Sequence, residues 1–228
     1  MAVLRHDAHL ADNPQTSLVL TEIIHSLEAA GHDVHFCQKS QIELKHDVRH
    51  MPRQLETTPA DAWVVEAGSH PLLEWCSPQP TPCLALYGST DKLPPACTGP
   101  DGEPAYRAAT RHLLALGRRR MVLIVSETRR KPTQGPSVRA FLEELTAHGV
   151  QTSSYHLPEQ VSLVSADCDA LLDWCHPDIA HMRWNNAPIV RRVVRWVDAV
   201  RKGKPDRRAI CFPMEFVPGG SVGPVHKA

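Results

Sequence analysis

Apolar residues recur along the chain with two different periods, and the alternation of these periods predicts the fold class. In residues 15–30 the apolar side chains, among them Leu20, Ile23 and Leu27, recur at spacings of three and four, the period of an amphipathic helix. Residues 121–125 (MVLIV) form an uninterrupted apolar run, which is typical of a strand covered on both faces. Segments of these two kinds follow one another, which predicts a doubly wound α/β fold with a parallel sheet.

The same patterns place the individual elements. Helices are predicted over residues 15–30, 40–57, 105–116, 138–148 and 188–202, and a short one begins at HPLLEWC (70–76). Strands are predicted within 33–38, 61–69, 81–88, 121–125, 153–157, 161–167 and 179–184, and from 209 onward. The proline- and glycine-rich residues 88–104 are expected to form a crossing loop.

Composition narrows the classes of function. The 25 Lys and Arg residues balance the 25 Asp and Glu residues, so no net positive charge favours binding to nucleic acid or to an anionic membrane. No apolar run is long enough to span a bilayer, and the first residues lack an apolar signal core, so we expect a cytoplasmic protein. The seven cysteines include no CxxC pair, which favours reduced structural thiols, with Cys83 and Cys211 as small core residues on strands.

The 14 histidines raise the question of catalysis or metal binding. His35 and Cys37 share one face of a predicted strand, but no carboxylate or second histidine lies at a spacing that would complete a tetrahedral site. The sequence also lacks the P-loop and GxGxxG motifs. We therefore predict that the chain is not an enzyme, with no catalytic residue, no metal and no cofactor.

Several segments, taken in their order along the chain, resemble one known family. They are ATRHLLALGRRRMVLIV (109–125), FLEELTAHGV (141–150), VSLVSAD (161–167), PDIAHMRW (177–184), GKPDRR (203–208) and EFVPGGSVGP (215–224). Together they resemble the effector-binding part of the lactose-repressor-like (LacI/GalR) transcription regulators, and the match covers almost the whole chain. Two of these segments are fairly specific when they occur together: 109–125, in which a helix ends at a glycine and three arginines lead into a strand, and VSLVSAD (161–167).

The resemblance implies a fold, a ligand and an assembly. The fold is two-lobed and of the periplasmic-binding-protein type I class, with parallel sheets flanked by helices. Lobe one would comprise residues 1–117 and 184–207, and lobe two residues 118–183 and 208–228. A small effector, expected to be a sugar, would be held between the lobes, and the assembly implied is a homodimer.

The chain departs from the family pattern in two places. Family members begin with a helix-turn-helix headpiece, whereas this sequence begins at or inside the first strand, so we expect DNA binding only through a headpiece that the chain lacks. The connection at residues 158–160 is too short for a crossover between parallel strands and predicts a shortened second lobe. An alternative function follows, in which a headless interaction module dimerises with a full-length regulator and binds no ligand itself.

Candidate ligand-binding residues lie where the family's cleft loops match this sequence. Sugars are bound by planar hydrogen-bonding groups and by an apolar surface that stacks on the ring. Asp167 matches an aspartate of the family's GFDD motif, and Trp184 offers a ring for stacking, but helix capping and burial explain these two residues equally well. The predicted ligand-binding residues are Asp7, Asn13, Gln15, Glu66, Ser69, Arg129, Arg130, Asp167, Trp184 and Asn185. The other tryptophans are expected in the core or at an interface: Trp63, Trp75, Trp174 and Trp196.

Overall fold

Helices and strands alternate along the chain, as the apolar periods predict. The computed structural model describes residues 1–7, 14–87, 93–119, 121, 123, 134–150, 164–166, 170–204 and 206–223. The strands are β1 (Ala2–Leu4), β2 (His35–Phe36), β3 (Trp63–Glu66), β4 (Cys83–Leu86), β5 (Ala96–Asp101), β6 (Val164–Ser165), β7 (Ala180–Trp184) and β8 (Ala209–Val217). The helices are α1 (Pro14–Ala29), α2 (Met51–Thr57), α3 (His70–Cys76), α4 (Glu103–Ala115), α5 (Pro136–Ala147) and α6 (Ala187–Arg201). Two short 3-10 helices span Val48–His50 and Ala170–Trp174.

The chain divides into two compact units. Unit 1 comprises Met1–Pro100 and Asn185–Phe212, and unit 2 comprises Asp101–Trp184 and Pro213–Ala228. These bounds differ from the lobes expected from the resemblance chiefly at residues 101–117, which the expectation placed in lobe one and which belong to unit 2. The physical reason is that α4 pairs with α5 through buried and half-buried side chains within unit 2. The chain therefore passes between units directly before α4, not directly after it.

A parallel sheet forms the centre of unit 1. Its order is β2-β1-β3-β4-β5, and β8 lies beside β5. Neighbouring strands from β2 to β5 are all parallel, and every residue of β1, β3 and β4 is buried. Strands that are buried on both faces need no alternation of apolar and polar residues, which explains their continuous apolar sequences.

Helix α6 shows how a sequence period becomes a packed face. The stripe formed by Ile189, Val193 and Val197 is buried, while Arg191 and Arg195 are exposed. The helix packs against α1 within unit 1. Trp196 is 1% exposed, and its indole N–H donates to the carbonyl of Asp206 at 2.9 Å, so the polar end of this large side chain is satisfied.

Unit 2 contains a smaller sheet and a pair of helices. Strand β6 is parallel to β7, and β8 is antiparallel to β7. The carboxylate of Glu144 on α5 is 4% exposed and accepts from Arg111 Nε on α4 at 2.7 Å. This hydrogen bond is the main cause of the lowered pKa of Glu144. Arg107 of α4 contacts the exposed Glu143 at 2.6 Å and adds a second link between the helices.

Two predictions of secondary structure are wrong. The helix predicted over 40–57 begins only at Met51, because residues 41–46 form turns in which Lys45 and His46 have φ of 54° and 53°. The crossing loop predicted for 88–104 contains β5, whose first four residues are buried although Gly99 and Pro100 are loop signals. A Cβ at Gly99 would lie 3.3 Å from the Cα of Tyr87, so glycine allows the backbones to approach closely here.

The burial of individual residues confirms some predictions and corrects others. Cys83 is a core residue at 9% exposure, and Trp63 and Trp196 are also buried. Cys211, which was expected in the core, is exposed, because the burial of β8 alternates and Cys211 lies on its solvent face. Trp174 is 79% exposed, so it is not a core residue. The short connection at 158–160, the predicted strand 153–157 and most of 121–125 lie outside the described residues.

Candidate functional site

The carboxyl ends of three strands lie side by side at one edge of the unit 1 sheet. Leu4 of β1 is registered with Val65 of β3, and Glu66 of β3 with Leu86 of β4. The residues that leave these strands therefore meet at the same edge, which we call the carboxyl edge. In open parallel sheets this edge is where ligands bind, because the connecting segments and their backbone groups converge there.

Glu66 is the buried acid of the carboxyl edge. It is the last residue of β3 and is 8% exposed. Its Oε2 accepts from the backbone N–H of His6 at 3.2 Å, which ties the segment after β1 to the end of β3. Among the described residues, no hydrogen-bond donor contacts its second carboxylate oxygen, Oε1. Glu66 therefore presents an acceptor atom at the position where a ligand hydroxyl would be expected.

The electrostatic surroundings of Glu66 disfavour its charged form. Burial raises the pKa of this carboxyl above its ordinary value, and the negative charge of nearby Asp7 raises it further. The His6 N–H and the Arg5 charge act in the opposite direction but do not cancel the effect of burial. A buried acid with few internal partners lowers the stability of the fold. Acids of this kind concentrate at binding and catalytic sites.

Gln41 supports Glu66 from the segment that follows β2. It is 2% exposed, its side-chain amide donates to the carbonyl of Glu66, and its backbone N–H donates to the carbonyl of Arg5 at 3.0 Å. Its Oε1 is buried with no hydrogen-bond partner in the described part of the chain. The turn that begins at Gln41 also brings the His46 ring to 5.4 Å from the His6 ring. Sequence reasoning missed Gln41 and His46 because it placed them in a helix.

Two residues at the carboxyl edge have strained backbones. Ala67, directly after β3, has φ of 45°, and Tyr87, directly after β4, has φ of 59°. The left-handed region costs a residue with a side chain roughly 1–2 kcal/mol. The Ala67 N–H still donates to the carbonyl of Leu86 at 2.7 Å, so the turn is held by a hydrogen bond between neighbouring strand ends. Strain of this kind concentrates at functional sites, and no motif in the sequence signalled it.

Besides Glu66, three predicted ligand contacts from unit 1 have described side chains. Asp7 follows β1 at the carboxyl edge and is half-buried. Ser69 is the N-cap residue of α3, but its hydroxyl makes no capping hydrogen bond. Asn185 lies just before α6, and its Oδ1 accepts from the N–H of Ala187, the first residue of that helix, at 2.9 Å.

The remaining predicted contacts fall elsewhere. Trp184 is the last residue of β7, belongs to unit 2 and is half-buried. Gln15 lies in the first turn of α1, and the placement of its side chain is outside the description. Asn13, Arg129, Arg130 and Asp167 lie outside the described residues altogether. The structure therefore brings together Asp7, Glu66 and Ser69 at the carboxyl edge.

The described part of the chain also bears on metal centres with three or more ligands and on membrane-spanning helices. Within these residues no three His, Cys, Asp or Glu side chains are grouped in a way that could hold a metal ion. The same residues include no helix that is both long and apolar enough to cross a bilayer.

Comparison with known proteins identifies the fold. The sequence matches no protein-family model, and it matches no curated protein. Among solved structures, a LacI family transcriptional regulator from Enterococcus faecium with bound ribose is similar over 99% of this chain and 99% of its own, with a TM-score of 0.70 and 14% identity. A putative ribose operon repressor from Burkholderia thailandensis is similar over 95% and 97% of the two chains, with a TM-score of 0.70 and 13% identity.

A third structure, of the transcriptional regulator CelR in complex with cellobiose, is similar over 97% of this chain and 84% of its own, with a TM-score of 0.74 and 14% identity. These likenesses extend over nearly the whole of the chain. They confirm the predicted fold class, a mixed α/β architecture of mostly parallel strands flanked by helices, and they confirm at the level of fold the resemblance to LacI-type effector-binding domains.

Proposed function

We propose that this chain is the effector-sensing module of a LacI-like transcription regulator and that it binds a small neutral sugar at the carboxyl edge of the unit 1 sheet. The observation that carries the proposal is Glu66, a buried acid at a strand end with one oxygen left for a ligand. A carboxylate oxygen accepts strongly from a sugar hydroxyl, because the charge on the acceptor strengthens the hydrogen bond. Two of the similar structures hold ribose or cellobiose.

The other residues of the carboxyl edge have supporting roles in this proposal. Asp7 supplies a second carboxylate close to Glu66, and the Ser69 hydroxyl can donate or accept. Gln41 fixes the end of β3 through its bond to the Glu66 carbonyl, so that the acceptor is oriented before the sugar arrives. The predicted contacts from Asn13, Gln15, Arg129, Arg130, Asp167 and Trp184 stay predictions.

Sensing requires that the sugar favour one conformation of the protein over another. A ligand shifts such an equilibrium only by the difference between its affinities for the two states. We propose that the chain acts in this way as a homodimer in the cytoplasm and performs no catalysis. Its mass in solution, measured by light scattering with and without sugar, tests the assembly.

Thermal melting with a panel of ligands tests the binding proposal. Pentoses, hexoses, disaccharides, phosphosugars and purines are each added to the purified chain. A sugar at a hundred times its Kd stabilises the folded state by about 2.7 kcal/mol, which raises the Tm of a chain of this size by about 5–11 °C. Glu66→Gln should reduce the rise to less than half at the same sugar concentration, because it loses about 1.5–3 kcal/mol of binding free energy. Glu74→Gln, at an exposed glutamate of α3, should leave the rise unchanged.

Two other results would count against the proposal. A cooperative melt that no sugar shifts would favour the alternative interaction module, which binds another regulator but no ligand. A rise in Tm that is the same in the wild type and in Glu66→Gln would show that a ligand binds elsewhere.

A further inference from the structure

Two buried thiols meet at the opposite end of the unit 1 sheet. Cys76 is the last residue of α3 and Cys83 the first residue of β4, so both lie near the amino end of that strand, away from the carboxyl edge. They are 6% and 9% exposed and belong to the same apolar cluster. The Cys76 thiol lies close enough to Cys83 to raise the pKa of the Cys83 thiol, and burial raises that pKa further.

A cavity of about 100 Å³ gives access to this pair. Both cysteines line it, as do Pro80, Pro94 and Arg207, which are exposed. The thiols can therefore be reached from solvent although they are buried. Two further cysteines of the same apolar cluster, Cys37 and Cys97, do not line the cavity. Of the four thiols that are buried in the described part of the chain, Cys76 and Cys83 are the two that line this cavity.

The number and type of side chains select the ion that such a pair could bind. Zinc in a structural site requires four ligands, and the described residues offer no group of three His, Cys, Asp or Glu. Hard cations such as Mg²⁺ and Ca²⁺ require several oxygen ligands. Thiolates select Cu(I), zinc and iron–sulfur clusters. Zinc and iron–sulfur sites are ordinarily held by four ligands, so Cu(I) is the one of these that two cysteines could bind.

We propose that Cys76 and Cys83 form a two-coordinate site for Cu(I). On binding, the ion replaces the two thiol protons, two copper–sulfur bonds form, and both protons pass to solvent. The bis-thiolate complex carries one negative charge, and Arg207 supplies a cation in the same cavity. The other charged residue there, Asp206, is already paired with Arg208 at 2.7 Å and with Arg192 at 3.0 Å. No electron is transferred, so the site needs no oxidant.

Anaerobic titration of the full chain with Cu(I) against a chromophoric Cu(I) chelator tests the proposal. The wild type should retain a single ion per chain in the presence of the chelator. Cys76→Ser and Cys83→Ser should each lose it, since each removes half of the site. The matched controls Cys37→Ser and Cys97→Ser, in the same apolar cluster, should keep the ion, as should Cys211→Ser at the surface.

A second measurement on the wild type covers the case in which a variant does not fold. The chain is alkylated in its native state with and without Cu(I), and its peptides are analysed by mass spectrometry. Protection by copper should fall on Cys76 and Cys83 together. The proposal is overturned if copper protects other cysteines and not these two, or if the wild type cannot hold Cu(I) against the chelator.

Discussion

Replacing Glu66 by glutamine should make the protein more stable at neutral pH while it weakens sugar binding. The substitution keeps the shape of the side chain and an oxygen that can accept from the His6 N–H, but it removes the buried charge. Since burial raises the pKa of Glu66, the folded protein holds this proton more tightly than the unfolded chain does. At neutral pH, ionisation of Glu66 therefore lowers the free energy of unfolding of the wild type. The glutamine variant has no such group and keeps that stability.

The sign and size of the effect on stability follow from linkage. Below the ordinary glutamate pKa, about 4.3, Glu66 is protonated in both states and the two proteins should melt alike. As the pH rises from there through the higher pKa of the folded state, the wild type loses stability and the variant does not. Each tenfold difference between the two ionisation constants is worth about 1.4 kcal/mol, or about 3–6 °C in Tm for a chain of this size.

Melting of the wild type, Glu66→Gln and Glu74→Gln between pH 4 and pH 8 measures this difference. The Tm of Glu66→Gln should exceed that of the wild type by an amount that grows with pH and then becomes constant. Glu74→Gln should follow the wild type, because Glu74 is exposed. A difference that is flat, or that shrinks as the pH rises, would refute the reasoning. In sugar binding, Glu66→Gln loses a hydrogen bond to a charged group, which should weaken the free energy of binding by about 1.5–3 kcal/mol.

Two predictions concern unit 2. A Cβ at Gly219 would lie 2.6 Å from the backbone nitrogen of Ala180, so Gly219→Ala must displace backbone and should lower the Tm by several degrees. At Gly223 an added Cβ would have no atom of the described residues within 4 Å, so Gly223→Ala should melt like the wild type. The Glu144 pKa is lowered in the folded state, so the stability that this carboxylate contributes is present above its ordinary pKa and lost as the pH falls through the folded value. In denaturant titrations Glu144→Gln should therefore lower the free energy of unfolding by about 1–3 kcal/mol at pH 7 and by less at pH 3. Glu143→Gln, which removes an exposed ion pair, should lower it by at most about 1 kcal/mol.

Much of the fold could be predicted from the sequence because burial imposes a period on it. The stripe of α6 and the continuous apolar strands β3 and β4 are direct consequences of the surfaces that they bury. Strand β5 could not be predicted in this way, since Gly99 is required by the approach of Tyr87, a contact distant in sequence. The turns at residues 41–46 were missed because the longer segment 40–57 has apolar residues at helical spacing, such as Val48, Met51 and Leu55.

The candidate site was only partly predictable. Glu66 is the last residue of the buried strand β3, and acids at the ends of parallel strands are easily found by pattern. Gln41 comes from a separate segment, and its function depends on a bond to the Glu66 carbonyl that no spacing reveals. The left-handed conformations of Ala67 and Tyr87 were also unpredictable, since neither residue type favours positive φ.

The structure of the chain in complex with the sugar that raises its Tm most would test the central claim most directly. We expect a sugar hydroxyl to donate to Glu66 Oε1 at the carboxyl edge of unit 1. A sugar bound with no hydroxyl near Glu66, or a carboxyl edge that stays empty at saturating sugar, would contradict it.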